Sequence, residues 1–175
     1  MADEQSRRRF LKVATVAIGG AIGAVMAVPL VRYLLYPIGR RTVSSAIEPV
    51  DVGAASAIAT GAPPTRVTIR AASVRDAWSV SRDVPLGAAW LVRTESGELR
   101  AFSTVCPHLG CAVGYDEAAQ KFQCPCHASA FATDGDKLGG PAKRGLDPLP
   151  LEERDGRVLV TYKRFRTDVK DREEV

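Results

Sequence analysis

An all-β head carried on one N-terminal transmembrane helix is the fold class this sequence predicts, and three observations predict it. Nineteen residues from Val13 to Val31 carry no charge, enough to cross a hydrocarbon core as a helix rising 1.5 Å per residue. The rest of the chain breaks into short apolar or alternating runs bounded by Gly, Pro and Asp turn signals, the pattern of strands rather than helices. All four cysteines and both histidines fall between Cys106 and His127, so one short region holds every thiol and imidazole that could ligate a metal.

The 175 residues, 46% hydrophobic and 25% charged, suit one ordinary domain with a small appendage and exclude a disordered or collagenous chain. The net charge of +4 is unevenly placed. Residues 1–45 hold seven Lys or Arg against two acids, and residues 46–175 hold seventeen against eighteen. A near-neutral body lacks the basic stripe a nucleic-acid surface needs, so no nucleic-acid partner is expected and the positive charge belongs to a membrane segment.

Residues 1–12 form a signal region. Ser6, Arg7, Arg8, Phe10, Leu11 and Lys12 in "SRRRFLK" resemble the twin-arginine export signal, which implies export of a chain already folded around its cofactor. Residues 13–36 read as the anchor, with Arg32, Tyr33 and Tyr36 at its far end, where basic and aromatic side chains favour an interface. Its apolar run is longer than that of a cleaved secretory signal, and Pro29 and Arg32 leave no small-residue cleavage site directly after it. The expectation is a retained single-pass anchor in the cell membrane, the N-terminus in the cytoplasm and the head on the extracytoplasmic side.

Residues 37–65, with "GAASAIATGAPP", read as a tether and the start of the head, with one strand around Ile47 to Val52. Strands are then predicted at 66–70, 88–93, 99–105, 121–124, 149–154 and 157–165, with Ser96-Gly97 and Asp155-Gly156 where hairpin turns are needed. The tail "KDREEV" reads as a solvated end. Asp116, Glu117, Asp134 and Asp136 sit in polar loops and read as solvated as well.

"CPHLGC" at 106–111 and "CPCHAS" at 124–129 supply Cys106-x-His108 and Cys124-x-x-His127, with fifteen residues between His108 and Cys124. Side by side, the two loops offer two thiolates and two imidazoles, a set tetrahedral zinc accepts. Zinc leaves Cys111 and Cys126 unexplained. In an exported domain two thiols that meet oxidise, and a Cys111–Cys126 disulfide would staple the loops without touching the metal. Both histidines being engaged, no Ser-His-Asp or Cys-His nucleophile remains.

The two boxes resemble C-x-H-x-G-C and C-x-C-H-x-S of the Rieske iron-sulfur proteins, and the likeness extends from Ser6 through the head. It implies a Rieske-type antiparallel β-sandwich head over residues 66–175, with a cluster-binding subdomain whose loops lie at 106–111 and 124–131. It also implies one [2Fe-2S] cluster per chain, with Cys106 and Cys124 on one iron, His108 and His127 on the other, and Cys111 paired with Cys126. Neutral imidazoles in place of two thiolates make such a cluster easier to reduce, at roughly −150 to +300 mV against about −400 mV for all-cysteine plant-type clusters.

The disulfide pair is similar to that of the quinol-oxidising members. The resemblance therefore implies a subunit of a membrane quinol–cytochrome c oxidoreductase, an enzyme as part of its complex. It would take one electron from quinol and pass it to a c-type haem, with cytochrome b and c-type cytochrome subunits as partners. His127, rather than His108, is expected to meet the quinol hydroxyl, and Ser129 to hydrogen-bond a cluster sulfur. Phe131 stands where high-potential members have a tyrosine, removing one donor and suiting a lower-potential quinol such as menaquinol. Ala128, where a glycine is often found, asks for a backbone outside the left-handed region. "GGPAKRGL" at 139–146 resembles the loop covering the third side of the cluster. The small Rieske subunit of an arsenite oxidase is the alternative; a membrane-anchored zinc module is a more distant one.

Overall fold

The computed structural model describes residues 2–39, 48–76 and 78–175. The chain divides into two units, one built on the N-terminal helix and the other the β head. Helix α1 runs Ala2–Leu35, with Pro29 inside it. It is long and apolar enough to cross a membrane by length and composition. The helix continues back through the arginine cluster rather than starting at Val13, since Arg, Leu and Lys are good helix formers.

The head contains β1 (Val50–Ala54), β2 (Thr65–Arg75), β3 (Val80–Arg93), β4 (Leu99–Ser103), β5 (Gly114–Asp116), β6 (Lys121–Gln123), β7 (Ala130–Phe131), β8 (Lys137–Gly139), β9 (Pro148–Leu149), β10 (Leu151–Arg154) and β11 (Arg157–Val160). They form three sheets, ordered β1-β11-β10, β2-β3-β4-β9 and β5-β6-β7-β8. The predicted strand at 47–52 begins at Val50; Ile47 lies outside the described residues. The second half of the expected tether thus belongs to the head, because β1 pairs with β11 and Asp51 accepts a two-point hydrogen bond from Arg157. Pro150 divides the predicted 149–154 strand between β9 and β10, since it has no N–H to give a ladder. The predicted 157–165 strand ends at Val160.

Strand β3 organises the head. Its residues 88–92, "AAWLV", are all buried, and because side chains alternate across a strand they feed two cores. Ala89 and Leu91 join Ile69, Ala101, Leu149, Val158 and Val160 between the first two sheets. Trp90 and Val92 join Phe102, Phe122, Phe131, Leu146 and two cysteines, Cys106 and Cys124, under the third sheet. The first core closes the sandwich, and the second seats the β5–β8 subdomain that carries the cysteine loops.

Both hairpin turns form as predicted. Asp155 and Gly156 have φ of 50° and 72°, the paired left-handed residues of a two-residue hairpin whose twist suits β10 and β11. Gly97, at φ 88°, donates to the Thr94 carbonyl between β3 and β4.

The candidate metal centre

The two cysteine loops are built alike. In the first, the Cys106 amide donates to the Cys111 carbonyl at 2.8 Å and the Gly110 amide to the Cys106 carbonyl at 2.9 Å. In the second, the Cys124 amide donates to the Ser129 carbonyl at 2.8 Å and the Ala128 amide to the Cys124 carbonyl at 3.1 Å. Each loop starts Cys-Pro, and each returns through a left-handed residue at the fifth position: Gly110 at φ 82° and Ala128 at φ 55°. The expectation that Ala128 avoids the left-handed region is therefore wrong. The tight turn from Cys124 to Ser129 requires that conformation whether or not a Cβ is present. Ala128→Gly should relieve about 1–2 kcal/mol of strain, of which glycine's greater freedom in the unfolded chain returns roughly half. The expected outcome is a melting temperature a few degrees higher, read by calorimetry.

The Cys111–Cys126 disulfide joins the loops, with Cα atoms 6.6 Å apart. Cys106 and Cys124 remain as free thiols, 0% and 1% exposed. Burial pushes the Cys106 thiol above its ordinary value; the His108 amide opposes this, the adjoining Cys124 thiol adds to it, and the Ser129 hydroxyl opposes it again. A metal binds the thiolate form, and two sulfurs so deep would ionise only with a cation beside them. The sulfurs of Cys111 and Cys126 also lie within 4.8 Å of the Cys124 sulfur, but bonded to each other they are not thiolate ligands.

The histidines are unequal. Their rings meet edge to face with centroids 4.9 Å apart. His127 is exposed and His108 half-buried. The Nδ1 atom of His108 is buried without a hydrogen-bond partner. A buried imidazole nitrogen does not go unpaired without reason, and a free lone pair on the loop that also carries the buried Cys106 thiol fits a soft metal group. Two sulfur and two nitrogen donors, with one ring open to solvent, suit a mixed-ligand iron–sulfur cluster.

Around these donors, Ser129 is fully buried and its Oγ accepts the Ala142 amide at 3.2 Å, leaving the hydroxyl hydrogen for the Cys106 sulfur. The 139–146 loop lies directly on the second cysteine loop: a Cβ on Gly140 would overlap the backbone of Ala128 and Ser129. Phe131 is fully buried and faces Phe122 across β6 and β7. Asp116, Asp134 and Asp136 serve local turns, Asp116 and Asp134 accepting the amides of Ala119 and Asp136. Sequence reasoning missed the C-terminal segment. Its side chains from Lys170 on are exposed, yet its backbone is tied down, Val175 donating to the Arg164 carbonyl and Asp168 to the Pro107 carbonyl. These ties are backbone to backbone, so the side chains gave no signal of them.

Residues 50–152 match the profile of the Rieske [2Fe-2S] domain. Residues 1–34 match that of the "Ubiquitinol-cytochrome C reductase Fe-S subunit TAT signal". The chain is 33% identical to the menaquinol:cytochrome c reductase iron-sulfur subunit of Geobacillus thermodenitrificans, over 89% of this chain and 90% of the relative. It is 32% identical to the cytochrome b6-f complex iron-sulfur subunit of Chlorobaculum tepidum, over 89% and 75% respectively. The crystal structure of the plasma membrane Rieske protein PetC3 of Synechocystis aligns with 65% of this chain and 99% of its own at 28% identity, with a TM-score of 0.44. With a domain match across more than half its length and a relative alike nearly end to end, the chain belongs to the Rieske [2Fe-2S] iron–sulfur family.

Proposed function

We propose that this chain is the Rieske iron–sulfur subunit of a membrane quinol–cytochrome c oxidoreductase, working with cytochrome b and c-type cytochrome subunits. The observation that carries the reading is the pair of matched loops, which buries the Cys106 and Cys124 thiols against each other, sets the His108 and His127 rings edge to face with the Nδ1 of His108 unpartnered and leaves the His127 ring exposed. Cys106 and Cys124 would hold one iron, and His108 and His127 the other. When bound, the cluster supplies a one-electron acceptor. His127 presents its exposed ring to the quinol hydroxyl and takes the proton. His108, sunk deeper beside the disulfide loop, serves as a ligand.

The N-terminal match and the apolar helix support an exported head on a single-pass anchor. Two of the relatives are named for menaquinol, and Phe131 agrees with that quinol because it offers no hydroxyl to a ligand sulfur. Phe131→Tyr should raise the reduction potential, since a new hydrogen bond of about 1 kcal/mol to the reduced state corresponds to about 40 mV for one electron. Redox titration reads it, and an unchanged or lower potential counts against the role given to Phe131.

The reading itself is tested on the membrane-extracted native chain. Iron and acid-labile sulfide should each be found at two per chain, and the reduced protein should give the electron spin resonance of a mixed nitrogen and sulfur ligand set. A single zinc without sulfide overturns it.

A further inference from the structure

Arg144 is a charged side chain only 5% exposed and is not among the proposed ligands. Its Nε and Nη2 grip both carboxylate oxygens of Asp147 at 2.7 and 2.8 Å. Its remaining hydrogens leave the pair: Nη1 donates to the Val169 carbonyl at 2.7 Å and Nη2 to the Arg166 carbonyl at 2.8 Å. One guanidinium thus satisfies a carboxylate and fixes two carbonyls of the C-terminal segment, a task for a planar fork rather than a point charge.

That segment reaches the first cysteine loop. The amide of Asp168 donates to the carbonyl of Pro107 at 2.9 Å, between Cys106 and His108 in the chain. Asp168 is held at φ 57°, a strained state for aspartate that persists where its surroundings impose it. Lys143 adds a bond to the Asp168 carbonyl at 2.8 Å and an ion pair to its carboxylate at 3.1 Å. From the same stretch as Arg144, the Ala142 amide binds Ser129 in the second loop. Asp147 roots the assembly in β4, its carbonyl accepting the Ser103 amide at 2.8 Å.

We propose that Arg144 is a positioning residue for the metal centre: it fixes the strap 166–169, which with Ala142 forms a second clamp between the two ligand loops, parallel to the disulfide and indifferent to thiol reductants. The proposal rests on the ligand assignment above. A buried pair serving packing alone is often replaceable by apolar residues of similar size with little loss, so the two roles predict different results.

The test uses the full chain as three variants: R144M/D147L, which removes both charges together; a chain ending at Phe165, which removes the strap and keeps the pair; and the two combined. Iron release is timed after reduction of the Cys111–Cys126 disulfide, and the linewidth of the reduced-state electron spin resonance is recorded before it. Each variant should release iron at least about tenfold faster than the unmutated chain and show a broadened signal. The combined variant should be no faster than either alone, because both cut the same connection. Release at the unmutated rate, or effects that multiply, overturns the clamp. If R144M/D147L does not fold, R144K, which keeps the charge and loses the planar fork, takes its place and is judged by the same rate. An unmutated chain lacking the mixed-ligand signal overturns the ligand assignment and this proposal with it, whereas a normal signal with indifferent variants overturns this proposal only.

Discussion

Cys124→Ser is expected to yield a colourless chain holding less than about a tenth of the normal iron. Cys124 is 1% exposed, in the core cluster that holds Trp90, Phe122 and Phe131, beside the equally buried Cys106. Serine keeps the shape but not the chemistry: a metal ligand here must be an anion, and a hydroxyl does not ionise near neutral pH as a thiol does beside a metal. The variant also leaves a polar group in an apolar core, at about 1–3 kcal/mol. Loss of a group bound a thousandfold above its dissociation constant removes about 4 kcal/mol more. The melting temperature should fall by well over ten degrees, and iron and sulfide analysis on the same sample should separate metal loss from unfolding. Full iron content in a folded Cys124→Ser chain would remove Cys124 from the ligand set.

What the sequence disclosed of this site follows from what metal chemistry demands. Soft ligands must be Cys or His, and two short loops allow few spacings, so Cys106, His108, Cys124 and His127 stand out without any knowledge of the fold. The disulfide was legible for a related reason, because Cys111 and Cys126 were the cysteines left over in an exported head. Strand β3 was legible in its C-terminal part, since burial on both faces writes a continuous apolar run from Ala88 to Val92. Its outer half, from Val80 to Val84, carries exposed polar residues without clear alternation and gave no signal. Strands β5, β7 and β8 have two or three residues each, too few to show a period of two. The conformation of Ala128 was misjudged because a residue type was weighed in isolation. The first loop, with Gly110 at the equivalent turn, held the better clue. Arg144 escaped notice because a lone arginine in a Gly-rich stretch looks like any surface charge until the C-terminal backbone arrives over it.

The double variant C111A/C126A should lose about 3 kcal/mol of stability, the loop-closure entropy expected for a cross-link with a sequence separation of 15. Its melting temperature should fall by about ten degrees, at several degrees per kcal/mol for a domain of this size. Both cysteines must be replaced together, because a single free thiol within 4.8 Å of the Cys124 sulfur would compete for the metal. Cys126 is exposed and Cys111 half-buried, so a thiol reductant reaches this bond in the unmutated chain and should lower its stability to that of the variant. The same reductant should leave C111A/C126A unchanged. That contrast separates the disulfide from the cluster, since a reductant acting through the cluster would affect both chains alike. With the disulfide gone, the loops are still joined through β5 and β6 and through the strap at Pro107. Cluster loss should therefore accelerate without becoming immediate. A stability change below about 1 kcal/mol, together with an unaltered rate of iron loss, would mean that the backbone alone holds the two loops and that the disulfide adds nothing to the clamp.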